Sequence, residues 1–566
     1  MEIIWQVKEP KFDDLVKQLL FNRGIIDDNA KNSDVEKFLF PDFDKDFHPP
    51  SSLPGFRSAI KRIKSAIENK EKVGIFADYD ADGIPGATFL YKTFTLFGIT
   101  PEVYIPTREI GYGFNQKGLD FLIKKGCHLI ISIDIGIREF DLAEYLQKKK
   151  IDLIITDHHI PDKKLPKALS VINPKIPDSK YPFSELSGAG VVYKLVQGLK
   201  EEYPEIITES FLKWNLDLIA ISTISDVVPL VDENRIIAKF GLKVLKKSKN
   251  IGLKAIYNQA GINPEKIDSY TVGFQIGPRI NAPGRLDHAT ISLEALISDD
   301  LAEVKDLAGK LEKQNFLRQE MMEKILLDAE RIIQKNNLLN NKILVLSSKS
   351  WSKGVIGPVA SNVVNKFCRP AILFSEESDK FVGSARSIPC FNIVKAIAEV
   401  SEFTLGFGGH AGAAGIQIRK SDFNNFSKKI KELADKKISE KDLKSKLTID
   451  LELPKDKIHI STFKRFFDLE PFGLGNPRPV FITKKIELFS HRYVGKDEKH
   501  LQLLFLSGKQ KIKGIIFNHQ KNCIQIKNQK FYDIVYIPSL NFWNGKWWPD
   551  LQIIDYKETA ENVEEK

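Results

Sequence analysis

Residues 72–83 read KVGIFADYDADG, residues 128–136 HLIISIDIG and residues 152–159 DLIITDHH. Each stretch opens as a short apolar run and closes on acids or imidazoles. Strands buried on both faces read as nearly continuous apolar runs, which argues for a parallel α/β sheet. Helical patterns alternate with such runs from residue 51 to about 298. In an open parallel sheet the C-terminal strand ends converge on the crevice where ligands bind. The reading therefore gathers Asp78, Asp80, Asp82, Asp134, Asp157, His158 and His159 around one crevice. One acid at a strand end is commonly a turn residue; three successive strand ends carrying acids are not explained that way.

Acids packed this closely raise one another's pKa values unless cations neutralise them. Oxygen and imidazole donors without a thiolate favour Mn²⁺ or Mg²⁺ over structural zinc. Two such ions about 3.5–4 Å apart are the usual device for hydrolysing phosphate esters. One ion activates a water as the nucleophile, and both hold the charge that builds on the phosphorus oxygens. The residues thus predict two-metal phosphoester hydrolysis.

The remainder of the chain bounds this reading. At about 150 residues per domain, 566 residues allow three or four domains. Apolar residues at 42% and charged residues at 28% exclude a mostly disordered or collagen-like chain. The four cysteines, Cys127, Cys368, Cys390 and Cys523, form no CxxC pair, so idle thiols in a reducing compartment are expected. No run of 18 apolar residues occurs, and MEIIWQVKEPKF lacks a basic region followed by an apolar one. The expectation is a cytoplasmic protein with no membrane span. The net charge is +10, and Lys484–Lys530 alone holds eleven Lys/Arg against three Asp/Glu. A local positive surface of that kind suits a polyanion.

Five segments are expected along the chain. Residues 1–50 read as a helical preface and residues 51–298 as the first α/β unit. Residues 299–336 read as a long connecting helix with Met321, Ile325, Ala329 and Ile332 on one stripe. A second α/β unit follows over residues 337–440. Residues 441–560 carry short alternating strands and turns, the spacing of a small β-barrel.

In their order along the chain these motifs resemble the DHH phosphoesterase superfamily. DYDADG (78–83), DIG (134–136) and DHH (157–159) look like its first three motifs, and SDVVPL (225–230) like its fourth. GFQIGPRINAPGRL (273–286) resembles the motif of the RecJ branch, the 5′→3′ exonucleases for single-stranded DNA. GFGGHAGAAG (406–415) is similar to the signature of the DHHA1 domain, and PFGLGNPRPVF (471–481) to the opening of the RecJ oligonucleotide-binding barrel. The resemblance covers roughly residues 50–556. It implies a DHH domain with a parallel sheet, a long connecting helix, a DHHA1 α/β domain and a C-terminal OB-fold β-barrel.

The resemblance also implies roles. Asp80 and Asp134 would help hold one Mn²⁺ or Mg²⁺ ion, while Asp82, Asp134, His158 and Asp226 hold the other. Asp78 and His159 would lie in or just behind these ligands. His410 would reach across the cleft to the scissile phosphate, and Arg279 and Arg285 would contact the reacting backbone. Arg108, Ser384 and Arg386 would bind a 5′-phosphate. On the barrel, Arg492, Tyr493, Lys499, His500, Lys511 and Lys513, with Phe542, Trp543, Trp547 and Trp548, combine basic and stacking groups suited to single strands. The implied partner is single-stranded DNA, with a single-strand-binding protein and a helicase as protein partners of a monomer, serving recombination and repair.

One departure stands out: Trp351 is followed by Ser352 and Lys353, where the family usually has a histidine after the tryptophan. Two alternatives share parts of the pattern. A phosphodiesterase for short RNAs or cyclic dinucleotides has the same metal cluster, but is far shorter and lacks the basic barrel. A non-catalytic DNA-binding relative would have decayed metal motifs, whereas these are intact.

Overall fold

A computed structural model describes residues 3–106, 113–286, 289–508, 510–519 and 526–559. Its first sheet is five parallel strands in the order β3-β2-β4-β5-β6. They are β2 (Val73–Ala77), β3 (Glu102–Tyr104), β4 (Leu129–Ile133), β5 (Asp152–Thr156) and β6 (Ser170–Ile172), following a separate β1 (Ile4–Val7). Every residue of β2 and β4 is buried, as their unbroken apolar runs require. The three motif-bearing strands are not consecutive in sequence, because the short β3 intervenes. In the sheet they are direct neighbours, so their C-terminal ends lie side by side.

The long helix spans Leu301–Lys335, 35 residues, or about 52 Å at 1.5 Å per residue. Its ends belong to different cores. Leu307, Ala308 and Leu311 pack into the core of the first unit. Ile325, Ala329 and Ile333 pack with Leu344, Trp351 and Ile356 of the second. Met321 and Ile332 of the expected stripe are half-buried at the margin of that second core. The helix is a strut fixed at both ends.

The second unit is a mixed sheet ordered β10-β11-β9-β8-β7. Its strands are β7 (Leu344–Ser348), β8 (Ala371–Glu376), β9 (Lys380–Arg386), β10 (Gly406–His410) and β11 (Ala413–Arg419). Only β7 and β8 run parallel.

β12 (Lys446–Ile449) and β13 (Leu451–Glu452) lead into a barrel of β14 (Phe481–Val494), β15 (His500–Ser507), β16 (Gln510–Ile516), β17 (Lys530–Trp543) and β18 (Lys546–Glu558). The order β14-β15-β16-β18-β17 closes because β17 also pairs with β14. Closure gives each barrel strand a partner on both sides, which is how small barrels avoid edge-to-edge association.

The first residues are not purely helical. β1 pairs in parallel with β12, so the start of the chain joins the entrance to the barrel. Helices Leu15–Asn22 and Asn32–Leu39 bury Val16, Leu19, Leu20, Phe38 and Leu39 in the core that holds Phe463, Phe481 and Leu503. The preface is thus part of the barrel's core. The buried Arg235, on helix Asp232–Leu245 of the first unit, ties these pieces together. Its guanidinium donates to the carbonyl of Phe38, to that of Leu469 at 2.9 Å and to that of Glu470 at 3.1 Å.

Among the described residues no helix is long and apolar enough to cross a membrane. Cys127, Cys368 and Cys390 are free thiols, and Cys523 lies outside the described residues.

Candidate active site

Each strand end delivers its carboxylate through a tight local turn. Asp80 Oδ1 accepts from the Asp82 and Gly83 amides at 2.8 and 3.1 Å, capping helix Gly83–Thr95. Asp82 is held differently: its oxygens accept from the Gly188 and Ala189 amides at 2.7 Å each, at the start of helix Gly188–Glu202. A helix N-terminus is a natural seat for a carboxylate. Gly188 is required there, since a Cβ would stand 2.6 Å from Asp134 Cβ. Asp134 takes a left-handed backbone at φ 61°, which turns its side chain back over the sheet.

The DHH turn completes the cluster. His158 Nε2 lies 3.1 Å from Asp134 Oδ1 and 3.6 Å from both Asp82 Oδ2 and Asp226 Oδ2. Asp226 arrives from the C-terminal end of helix Leu216–Ser225 rather than from a strand. Asp78, Asp80 and Asp134 form one group able to converge on an ion, and Asp82, His158 and Asp226 form another. Asp157 aims at the neighbouring histidine instead. Its Oδ1 accepts from the His159 ring at 2.8 Å and from the His158 and His159 amides, and its Oδ2 accepts from the Ile137 amide at 3.0 Å.

The electrostatics are those of a site short of positive charge. Burial, and then repulsion from Asp82, Asp80 and Asp226, push the Asp134 carboxyl well above the ordinary range. Burial and the charges of Asp82 and Asp80 do the same to Asp226. Burial also holds His158 below the usual imidazole range, favouring the neutral ring that a metal ligand needs. Burial alone would lower His159, but its hydrogen bond to Asp157 and the nearby carboxylates raise it to about 9. Asp134 Oδ1 and His158 Nδ1 are buried without a hydrogen-bond partner. Orphaned atoms beside clustered carboxylates fit divalent cations, and the oxygen and imidazole donors fit Mn²⁺ or Mg²⁺.

The GPRINAPGRL motif supports this cluster from behind. Asn281 Oδ1 accepts from the Ala81 amide at 2.6 Å, pinning the DYDADG loop. Sequence reading passed over Asn281, and its only signal was the motif that contains it. Arg279, expected at the substrate backbone, is committed elsewhere. Its guanidinium makes two hydrogen bonds to Glu312 of the long helix and one to the Gln275 carbonyl. Arg285 reaches the Gly354 carbonyl in the second unit at 3.4 Å, so it spans the two units.

The second unit offers a half-buried guanidinium. Arg386 donates to Ser384 Oγ at 3.0 Å, to Ser361 Oγ at 3.1 Å and to the Ala385 carbonyl at 2.8 Å. Among the described residues no carboxylate pairs with it, and burial lowers its pKa. Gly357, at the start of helix Ile356–Phe367, approaches so closely that a Cβ would lie 3.1 Å from Arg386 Nη2. His410 is exposed on β10. His410 pairs with Ala413, and Ala413 with Arg386, so the three share one row across adjacent strands. Two strand spacings put His410 about 10 Å from Arg386.

Arg108 lies outside the described residues. In the departing loop, buried Trp351 anchors on Asp328 of the long helix at 2.8 Å, and Lys353 pairs with Glu377 at 3.0 Å.

On the barrel, Arg492 lies on β14 opposite Gln502, Lys511 and Lys513 lie on β16, and Lys511 sits 4.2 Å over the Phe489 ring. Tyr493 is half-buried and its hydroxyl meets His519 at 3.2 Å. Lys499 pairs with Asp497 at 3.4 Å, and His500 meets Phe517 edge-on. Phe542, Trp547 and Trp548 are exposed near the tip of the β17–β18 hairpin, whereas the Trp543 side chain lies outside the described residues.

Residues 72–223 match the DHH family, N-terminal domain, residues 340–436 the DHHA1 domain and residues 449–555 the RecJ OB domain. The single-stranded-DNA-specific exonuclease RecJ of Bacillus subtilis is 33% identical over 97% of this chain and 70% of its own length. The protein of the same name from Haemophilus influenzae is 31% identical over 80% of this chain and 82% of its own. A crystal structure of RecJ in complex with Mn²⁺ from Thermus thermophilus superposes with a TM-score of 0.80 at 25% identity, covering 99% of this chain and 80% of that one. The three domains stand in the same order as the motifs read from the sequence, and with relatives this similar over this much of its length the chain belongs to the RecJ family.

Proposed function

We propose that the protein is a single-stranded-DNA-specific exonuclease that works from the 5′ end and releases 5′-mononucleotides, acting in DNA recombination and repair. The observation that carries this reading is the convergence of Asp78, Asp80, Asp82, Asp134, His158 and Asp226 on one buried cluster, in a chain whose Arg386 has no carboxylate partner among the described residues. Asp78, Asp80 and Asp134 would hold one Mn²⁺ or Mg²⁺ ion and Asp82, Asp134, His158 and Asp226 the other. When bound, such ions supply an activated water and neutralise charge on the phosphorus oxygens.

The chain's own groups do the rest. His159, its ring oriented through Nδ1 by Asp157 and half-exposed, would turn its Nε2 to the substrate. Arg386 and Ser384 form a fork for a terminal phosphate, which bears more charge than a bridging one. Arg386 shares a row with His410 across adjacent strands, so one sheet would carry both the fork for the end and the contact to the scissile phosphate. Arg279 acts through the helices it braces, by locking the GPRINAPGRL segment to Glu312. The barrel's Arg492, Lys511 and Lys513 extend the track for the strand. The reading is of a cytoplasmic monomer that meets its strand alongside a single-strand-binding protein and a helicase.

The deciding experiment is digestion of 5′-labelled and 3′-labelled single strands with Mn²⁺, with duplex as control. Mononucleotides released first from the 5′-labelled end support the reading. Equal attack on both ends, or on duplex, refutes it.

A further inference from the structure

The barrel is not the only basic surface. From Asn234 to Pro264 the chain carries seven Lys/Arg and no Asp/Glu. Part of this segment, the helix Asp232–Leu245 and the Lys246 that follows, forms one wall of a groove of about 760 Å³. That volume is ample for a nucleotide-sized group. Lys239, Lys243, Lys246 and Lys266 line it, against Asp468 and Glu470; Asp268 is paired with Arg478 at 3.4 Å. The balance is positive.

The opposite wall is unusual. Residues Val272–Ile276 form a π-helical turn, a distortion often found at functional sites. It carries Phe274, 67% exposed, stacked on Tyr270, 57% exposed, with ring centroids 4.7 Å apart and planes 24° from parallel. Two large aromatic rings left this open form a ready platform for a planar group.

The groove also abuts the metal cluster. Val227, directly after Asp226, lines it, 61% exposed and held at φ 59°. A left-handed backbone is costly for a β-branched residue and marks a constrained turn. This turn places Asp226 beside His158 and Val227 in the groove. The far side is built by Phe472 and Leu474 at the entrance to the barrel. A strand running from the cluster to the barrel would meet this groove between them.

We propose that the groove is a stacking subsite for the single strand on the far side of the scissile bond. A base lies on the Tyr270–Phe274 pair, and the backbone runs along Lys243 and Lys246. The proposal rests on the single-strand substrate assigned above and adds the residues that grip the strand before the barrel. Aromatic faces beside lysines favour a nucleic acid over an acidic peptide, which offers no planar group to stack.

The test uses the full chain in EDTA, with a long oligodeoxythymidylate carrying one 5-iodouracil at successive positions from the 5′ end. Irradiation should crosslink one internal position to Tyr270 or Phe274. A Tyr270→Ala/Phe274→Ala variant should bind the long strand roughly five- to 150-fold more weakly. Its hydrolysis of a trinucleotide with Mn²⁺ should be unchanged, which also shows that it is folded. Lys243→Gln/Lys246→Gln should lower the slope of log affinity against log salt by about 1.4. If the wild type digests single strands but crosslinks elsewhere, or if long and short substrates suffer alike, the groove is not a subsite while the exonuclease reading stands. If the variants lose a poly-glutamate peptide and keep the strand, the occupant is a protein. If the wild type neither binds nor cuts single strands, both readings fall.

Discussion

Asp157 Oδ1 and His159 Nδ1 lie 2.8 Å apart, and the same oxygen accepts the backbone amides of both histidines. Asp157 thus orients the turn rather than joining either group of candidate ligands. Partners of this kind are typically worth ten- to a hundredfold in metal affinity or activity. Asp157→Asn should cost about that factor in kcat/KM, with apparent Mn²⁺ affinity reduced and strand binding in EDTA retained. Titration of activity against Mn²⁺ measures it; wild-type behaviour would make the hydrogen bond incidental.

Asp134 stands between both candidate ion sites and has a raised pKa from burial and four neighbouring carboxylates. Asp134→Asn should abolish hydrolysis while leaving single-strand affinity within about twofold. Removing a buried, repelled charge should also raise the metal-free Tm by a few degrees. Residual cleavage by a purified mutant free of contaminating nuclease would refute the two-ion assignment.

The raised carboxyls of Asp134 and Asp226 fix the sign of a pH effect. Without ions, the folded state holds these protons more tightly than the unfolded chain. That stabilisation is complete below the unfolded carboxylate pKa of about 3.9 and fades as pH rises through the raised folded values. Mn²⁺ replaces the lost protons, so its thermal stabilisation should grow from mildly acidic to neutral pH. Melting curves with and without Mn²⁺ across that range test this; a constant increment would count against it.

Arg386 has hydroxyl and carbonyl partners but no carboxylate among the described residues. A terminal phosphate would gain charge-assisted hydrogen bonds of about 1.5–3 kcal/mol there. Arg386→Ala should therefore narrow the rate gap between 5′-phosphorylated and 5′-hydroxyl strands by about one to two decades. Equal losses on both would assign Arg386 to the fold.

Arg492 is exposed on β14, and Lys511 and Lys513 on β16, one strand removed across β15. Changing all three to Gln should flatten the salt slope of single-strand binding by about 2 with Tm unchanged. An unaltered slope would make them a solvated face.

The acidic cluster was legible because it depends on local rules: an apolar strand, a turn, an acid. Asp226 was not, since it ends a helix, and only the motif SDVVPL pointed to it. That Arg279 pairs with Glu312 was not legible either, since the two stand 33 residues apart in sequence. The groove of Tyr270 and Phe274 was hidden for a related reason. Phe274 lies in a π-helical turn and Tyr270 in the helical turn before it, and no sequence motif marks a pair of rings as exposed. Nor could a sequence pattern disclose that Leu19 and Leu20 share a core with Phe481, which is a pairing of distant segments.

That pairing has a consequence for how the protein is made. β1 leaves the ribosome well before its partner β12, which is more than four hundred residues behind it. At about 5–20 residues per second, the apolar faces of the first two helices stay uncovered for roughly half a minute to a minute and a half. Throughout that time the first α/β unit can fold on its own core while its leader waits. Nascent chains stalled before the barrel should expose Val16, Leu19 and Leu20 to chaperones, and release should come only as the barrel closes over them.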